Sequence, residues 1–181
     1  HSFRQTQTAL TSYWFVREGF RLDYETPVSC YPWSIPFEFP IYQFLVALIV
    51  ELTGARLDVV GRLVSFLFLV GCLFPARSVV RKLELPNTVF LAFVALLFSS
   101  PIYLYWGRTF MVETAALFFA VSALPFFVDL IASPRAKPVV WFTLFSTLAM
   151  LQKATTELPL LMLLAVIYAI HALRGGGSWR H

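Results

Sequence analysis

From residue 39 onward the chain is written in long apolar runs, broken by short polar or charged punctuation. Five of these runs read as membrane-spanning helices, over about 61–79, 86–104, 110–132, 138–154 and 157–173. Each approaches or exceeds the ~20 apolar residues a helix needs to cross a bilayer. Helix is the natural form there, because a helix pairs its own N–H and C=O groups where no water can. Period-two alternation is absent, so a membrane barrel is a poor fit. The run over 39–54, FPIYQFLVALIVELTG, is shorter. At 1.5 Å per residue it reaches about 24 Å, less than the ~30 Å hydrocarbon core. Residues 1–37 are mixed, rich in polar, aromatic, Arg and Pro positions. Within them, 3–18 fit an amphipathic surface helix with Phe3, Ala9, Leu10, Tyr13, Trp14 and Phe15 on broad apolar faces. Pro27, Pro32, Pro36 and Pro40 then break regular structure.

Composition turns this pattern into a class. Of 181 residues, 59% are hydrophobic and 13% charged, against about 45–50% and about 25% in soluble domains. The expected fold is therefore all-α, a polytopic transmembrane helix bundle. Residues 1–60 form an external loop with juxtamembrane helices, and residues 61–181 the five-helix transmembrane portion. The net charge of +4 does not signal nucleic acid, because the basic residues are spread over the ends of apolar runs. They fall into three groups: Arg77, Arg81 and Lys82; Arg135 and Lys137; Arg174 and Arg180. If each group is cytoplasmic, the five spans alternate without conflict, and 39–54 lies half-inserted on the outer face. If 39–54 crosses instead, the first loop moves to the cytoplasm. The chain begins at His1 without an initiator Met and is expected to be an internal piece of a longer integral protein, multi-pass in the plasma (inner) membrane. Cys30 and Cys72 have no metal or redox spacing, and one lies in a polar loop while the other lies in an apolar run.

This topology gathers the remaining polar residues on one face. The outer side holds Arg4, Gln5, Glu38, Arg108, Glu113, Lys153 and Glu157. Each has an ordinary reading. Arg108 can snorkel to lipid headgroups and Glu113 can sit at the positive end of a helix. Glu38 can cap the helix that follows it. Lys153 can snorkel at a helix end, and Arg4 and Gln5 can start a solvated helix. Each also has a chemical reading. Charged groups near a membrane usually face a cavity or a partner, and Arg offers a fork of donors matched to phosphate. Lys153 would counter a phosphate or pyrophosphate, and Arg4 and Gln5 would contact phosphate or sugar hydroxyls. Glu38 would ligate a divalent metal or orient a substrate hydroxyl. There is no Gly-rich phosphate loop, GxSxG, HExxH or CxxC pair.

Taken in order, HSFRQTQTA, EFPIYQFLVALIVELTG, GRLVSFLFLV, SPIYLYWGRTFMVETAALFF and LQKATTELPLLMLL resemble the family 39 group of GT-C type membrane glycosyltransferases. That group includes the protein O-mannosyltransferases and the aminoarabinose transferases of lipid A. EFPIYQFL looks like the segment usually written E-K-P-P-L-x-Y-W-L, matching at Glu38 and Pro40, with Phe39 in place of the lysine. GRTFMVET looks like the family's R-x-x-x-x-D turn, with Arg108 matching and Glu113 in place of Asp. Lys153 matches the lysine of L-T-K-G, with Ala154 in place of Gly. The resemblance implies a polyprenyl-phosphate sugar donor and a lipid, glycan or protein acceptor. It implies inverting attack by an acceptor hydroxyl on the anomeric carbon, with Glu113 and Glu38 as the catalytic carboxylates and Arg108 and Lys153 facing the departing lipid phosphate. The family's principal catalytic Asp would fall just before His1; Asp23 and Glu25 do not sit in the matching position. Two other classes compete. A secondary transporter or channel would show internal repeats and charges near the midplane, and a noncatalytic scaffold subunit would not need the charges to gather on one face.

Overall fold

The computed structural model describes residues 2–20 and 38–173, and all regular structure among them is helical. The elements are α1 Ser2–Glu18, α2 Ile41–Thr53, α3 Leu57–Gly71, α4 Leu73–Lys82, α5 Asn87–Ser99, α6 Pro101–Gly107, α7 Glu113–Ala132 and α8 Ala136–Leu173. The expectations placed on His1, Asp23, Glu25, Cys30, Arg174 and Arg180 fall outside the described residues. So do those on Pro27, Pro32 and Pro36.

Among the described residues, three helices are long and apolar enough to cross a membrane: Leu57–Lys82, Glu113–Ala132 and Ala136–Leu173. The first joins α3 and α4 through Cys72, whose backbone is helical (φ −57°, ψ −23°) and whose buried thiol donates to the Phe68 carbonyl. A fourth crossing forms only if α5 and α6 count as one span, and they meet at a 71° bend. The straight helix expected over 86–104 therefore breaks at Ser100. Pro101 is the cause: it disfavours helical geometry in the residue before it, and Ser100 is extended at ψ 117°. α7 begins at Glu113 rather than 110, because residues 109–112 form a turn that buries Phe110, Met111 and Val112.

The two helices expected over 138–154 and 157–173 are present as the two arms of α8, joined by a sharp kink rather than by a loop. Lys153 is non-helical at φ −161°, ψ 97°. Ser146 stands close to the Glu157 carboxylate, although no aligned hydrogen bond joins them. In an uninterrupted helix these residues would be about 16 Å apart along the axis, so the chain turns sharply at Lys153.

α2 is a 13-residue helix, about 20 Å long and too short to cross. It packs between α1 and α3. Its Tyr42 and Val46 join Val60, Val64, Phe110, Val112 and Ala115 in the main core. Gly61 lets this core close: a Cβ there would stand 2.4 Å from the Phe110 ring. The Tyr42 hydroxyl lies 2.7 Å from both the Gly61 carbonyl and Ser65 Oγ, and Ser65 Oγ donates to the Met111 carbonyl at 3.2 Å. These bonds tie α2 and α3 to the turn that precedes Glu113.

α1 keeps part of the expected amphipathy, with Phe15 buried and Ala9 against the main core, but hydroxyls share its inward face. Its buried stripe is Thr8, Thr11, Ser12 and Phe15, while Phe3, Tyr13 and Val16 are exposed. The hydroxyls can turn inward because each bonds four residues back: Thr8 to the Arg4 carbonyl, Thr11 to Gln7 and Ser12 to Thr8. Such local bonds satisfy a polar side chain without a partner from another helix.

Candidate active site

A cavity of about 190 Å³ lies where α1, the start of α2 and the turn before α7 converge. Arg4, Gln7 and Thr8 reach it from α1, Gln43 from α2, Glu38 from the segment before α2, and Glu113 from the first turn of α7. α8 supplies the cation behind the two carboxylates. Lys153 Nζ donates to Glu113 Oε1 at 2.5 Å and stands 3.9 Å from Glu38 Oε1. Arg4 Nη1 stands 4.0 Å from the same Glu113 oxygen. Four residues from four stretches of the chain thus meet as two acids and two bases.

The local structure explains the placement. The break at Lys153 interrupts the α8 hydrogen-bond ladder and frees carbonyls that a regular helix would use. The Leu151 carbonyl is taken by the Phe39 N–H at 3.2 Å. Gln152 Nε2 donates to the Phe39 carbonyl at 2.5 Å. These two bonds clip residue 39 to α8 and hold Glu38 beside Lys153. Glu113 sits in the first helical turn of α7, where the helix dipole favours an anion, so the helix-end reading and the cluster reading of this residue coexist.

Burial separates the four. The side chain of Glu113 is 6% exposed and that of Lys153 16%, whereas that of Arg4 is 61%. Lys153 is committed to the two carboxylates. Arg4 is the cation open to a ligand. Burial pushes the Glu38 carboxyl above its ordinary value of 4.5; Lys153 opposes that rise, Glu113 adds to it, and Arg4 opposes it. Glu113 Oε2 makes no hydrogen bond among the described residues.

The other expected residues lie elsewhere. Arg108 is exposed, and its backbone carbonyl accepts from Arg62 at 3.3 Å. Its guanidinium makes no ion pair among the described residues. The cation that meets Glu113 is Lys153 and not its sequence neighbour Arg108, because α6 ends at Gly107 and leaves Arg108 outside the core that buries residues 109–113. Gln5 donates to the Tyr105 hydroxyl at 3.0 Å, joining α1 to α6. As a metal ligand Glu38 fits poorly: the Lys153 ammonium lies between the two carboxylates, and no group of three His, Cys, Asp or Glu residues gathers among the described residues.

Sequence reasoning passed over Gln7, Thr8, Gln43 and Gln152. For the last two a signal existed, an amide inside an otherwise apolar run. For Gln7 and Thr8 only the packing of α1 reveals the role. No family model, curated protein or solved structure matches this chain.

Proposed function

We propose that this chain is part of a membrane glycosyltransferase that moves a sugar from a polyprenyl-phosphate donor to an acceptor hydroxyl at the outer membrane surface. The observation that carries the reading is the convergence of Arg4, Glu38 and Glu113 on one cavity at one end of an apolar bundle, with Lys153 paired to both carboxylates behind it. A lipid-borne donor needs polar chemistry at the edge of hydrocarbon, and this arrangement provides it.

In the proposed reaction the acceptor oxygen bonds to the anomeric carbon as the bond from that carbon to the phosphate oxygen breaks. The hydroxyl proton passes to a carboxylate, and the polyprenyl phosphate leaves with the electron pair. Glu38 suits the proton acceptor, since its raised pKa brings it nearer the working pH. Glu113 fixes Lys153, and the pair orients the site. Arg4, the more exposed cation, meets the departing phosphate. Glu38→Gln and Arg4→Ala test this. Each is expected to lower transfer of labelled sugar by about 10²-fold or more, with unfolding midpoints unchanged for Arg4→Ala. Transfer at the wild-type rate in both variants would remove the site assignment.

One observation favours a second reading, secondary transport. Glu157 in α8 is fully buried, and neither carboxylate oxygen makes a hydrogen bond among the described residues. Buried ionisable residues within spans often mark ion pathways. Flux of a cation or a proton-coupled solute through proteoliposomes, abolished by Glu157→Gln, would replace the first reading with this one.

A further inference from the structure

The opposite end of the bundle carries a second, larger cavity of about 680 Å³ between α4 and α5. Its lining combines Arg77, Arg81 and Lys82 with Leu73, Phe74 and Phe90, and includes no carboxylate. The three cations are not equivalent. Lys82 donates to the Asp129 carboxylate and, at 3.2 Å, to the Pro125 carbonyl of α7. Arg77 lies over the Phe90 ring, 5.1 Å from its centroid. Neither Arg77 nor Arg81 is ion-paired among the described residues. One positive charge is therefore neutralised and two remain, beside an apolar wall whose Phe74 is 77% exposed.

We infer that this cavity binds an anionic glycerophospholipid of the bilayer, with its headgroup phosphate between Arg77 and Arg81 and an acyl chain along Leu73 and Phe74. Charge and position select this occupant. The two uncompensated guanidiniums match phosphate oxygens. The cavity lies at the end of the 26-residue span Leu57–Lys82, the level at which headgroups sit. Basic pockets between spanning helices are recognised sites for acidic headgroups. The volume falls in the usual range of about 300–1,000 Å³ for small-molecule sites. The inference does not depend on glycosyl transfer, because about 24 Å of α7 separates Asp129 from Glu113.

The test uses the purified chain in detergent with equimolar phosphatidylglycerol and phosphatidylcholine, with retained lipid read by native mass spectrometry. Phosphatidylglycerol is expected to be retained about 30-fold over phosphatidylcholine, given the contribution of two basic residues near an anionic surface. Arg77→Gln with Arg81→Gln should remove the preference, and Arg77→Lys with Arg81→Lys should keep part of it. A photoactivatable phosphatidylglycerol on the wild-type chain gives an answer independent of variant folding, with cross-links expected within 70–90. Equal retention of the two lipids, cross-links confined elsewhere, or displacement of the lipid by free glycerol phosphate would each overturn the inference.

Discussion

Each end of the bundle holds a lysine–carboxylate pair, and the two pairs live in different surroundings. Lys153 and Glu113 have side chains 16% and 6% exposed; Lys82 and Asp129 have side chains 31% and 39% exposed. The first pair is enclosed by helices, flanked by Glu38 and Arg4, and opens on a small polar cavity. The second sits among further cations and an apolar wall. The same chemistry therefore does two jobs. In a buried setting, removing one partner strands a charge, and the cost is large. In a solvated setting the surviving partner is rehydrated, and the pair matters little to stability.

Substitutions can break this contrast. The largest effect is expected for Lys153→Met, which leaves Glu113 buried without its partner and should destabilise the chain by about 3–5 kcal/mol. Adding Glu113→Gln should recover most of that loss in a denaturant titration in detergent. Gly61→Ala attacks the scaffold of the same end, since its methyl would press on the Phe110 ring at 2.4 Å. Overpacking of this kind costs about 1–3 kcal/mol, read as a lower unfolding midpoint. Lys82→Met, at the solvated end, should cost no more than about 1 kcal/mol. A loss equal to that of Lys153→Met would erase the distinction between the two ends.

The smallest effect is one of slope. Burial raises the pKa of Glu38, so the folded state holds a proton that the unfolded state releases. Stability then falls as pH rises from about the ordinary 4.5 through the raised value. Glu38→Gln should flatten the dependence in that window, and an unchanged slope would count against a buried, titrating Glu38.

The sequence made the apolar segments plain, because bilayer-length runs are self-contained signals. It also pointed to Glu38, Glu113 and Lys153, since charges in such company stand out. Partner choice was hidden. Arg108 is five residues from Glu113, but the tight turn at 109–112 turns neighbours in sequence into residues of different environments. Lys153 is forty residues away, and only the break in α8 and the clip at Phe39 bring it in. The bend at Ser100 had a readable cause in Pro101. The inward hydroxyl stripe of α1 did not, because hydroxyls bonded to their own helix can pass for apolar ones.

The central claim is that the buried cluster is a sugar-transfer site. It is tested most directly by transfer of radiolabelled sugar from polyprenyl-phosphate donors, in membranes carrying the protein or its Glu38→Gln variant. The account predicts transfer in the wild type and a loss of about 10²-fold or more in the variant, with the variant still inserted and folded. Equal transfer by the two, or none by the wild type across hexose and pentose donors, would contradict it.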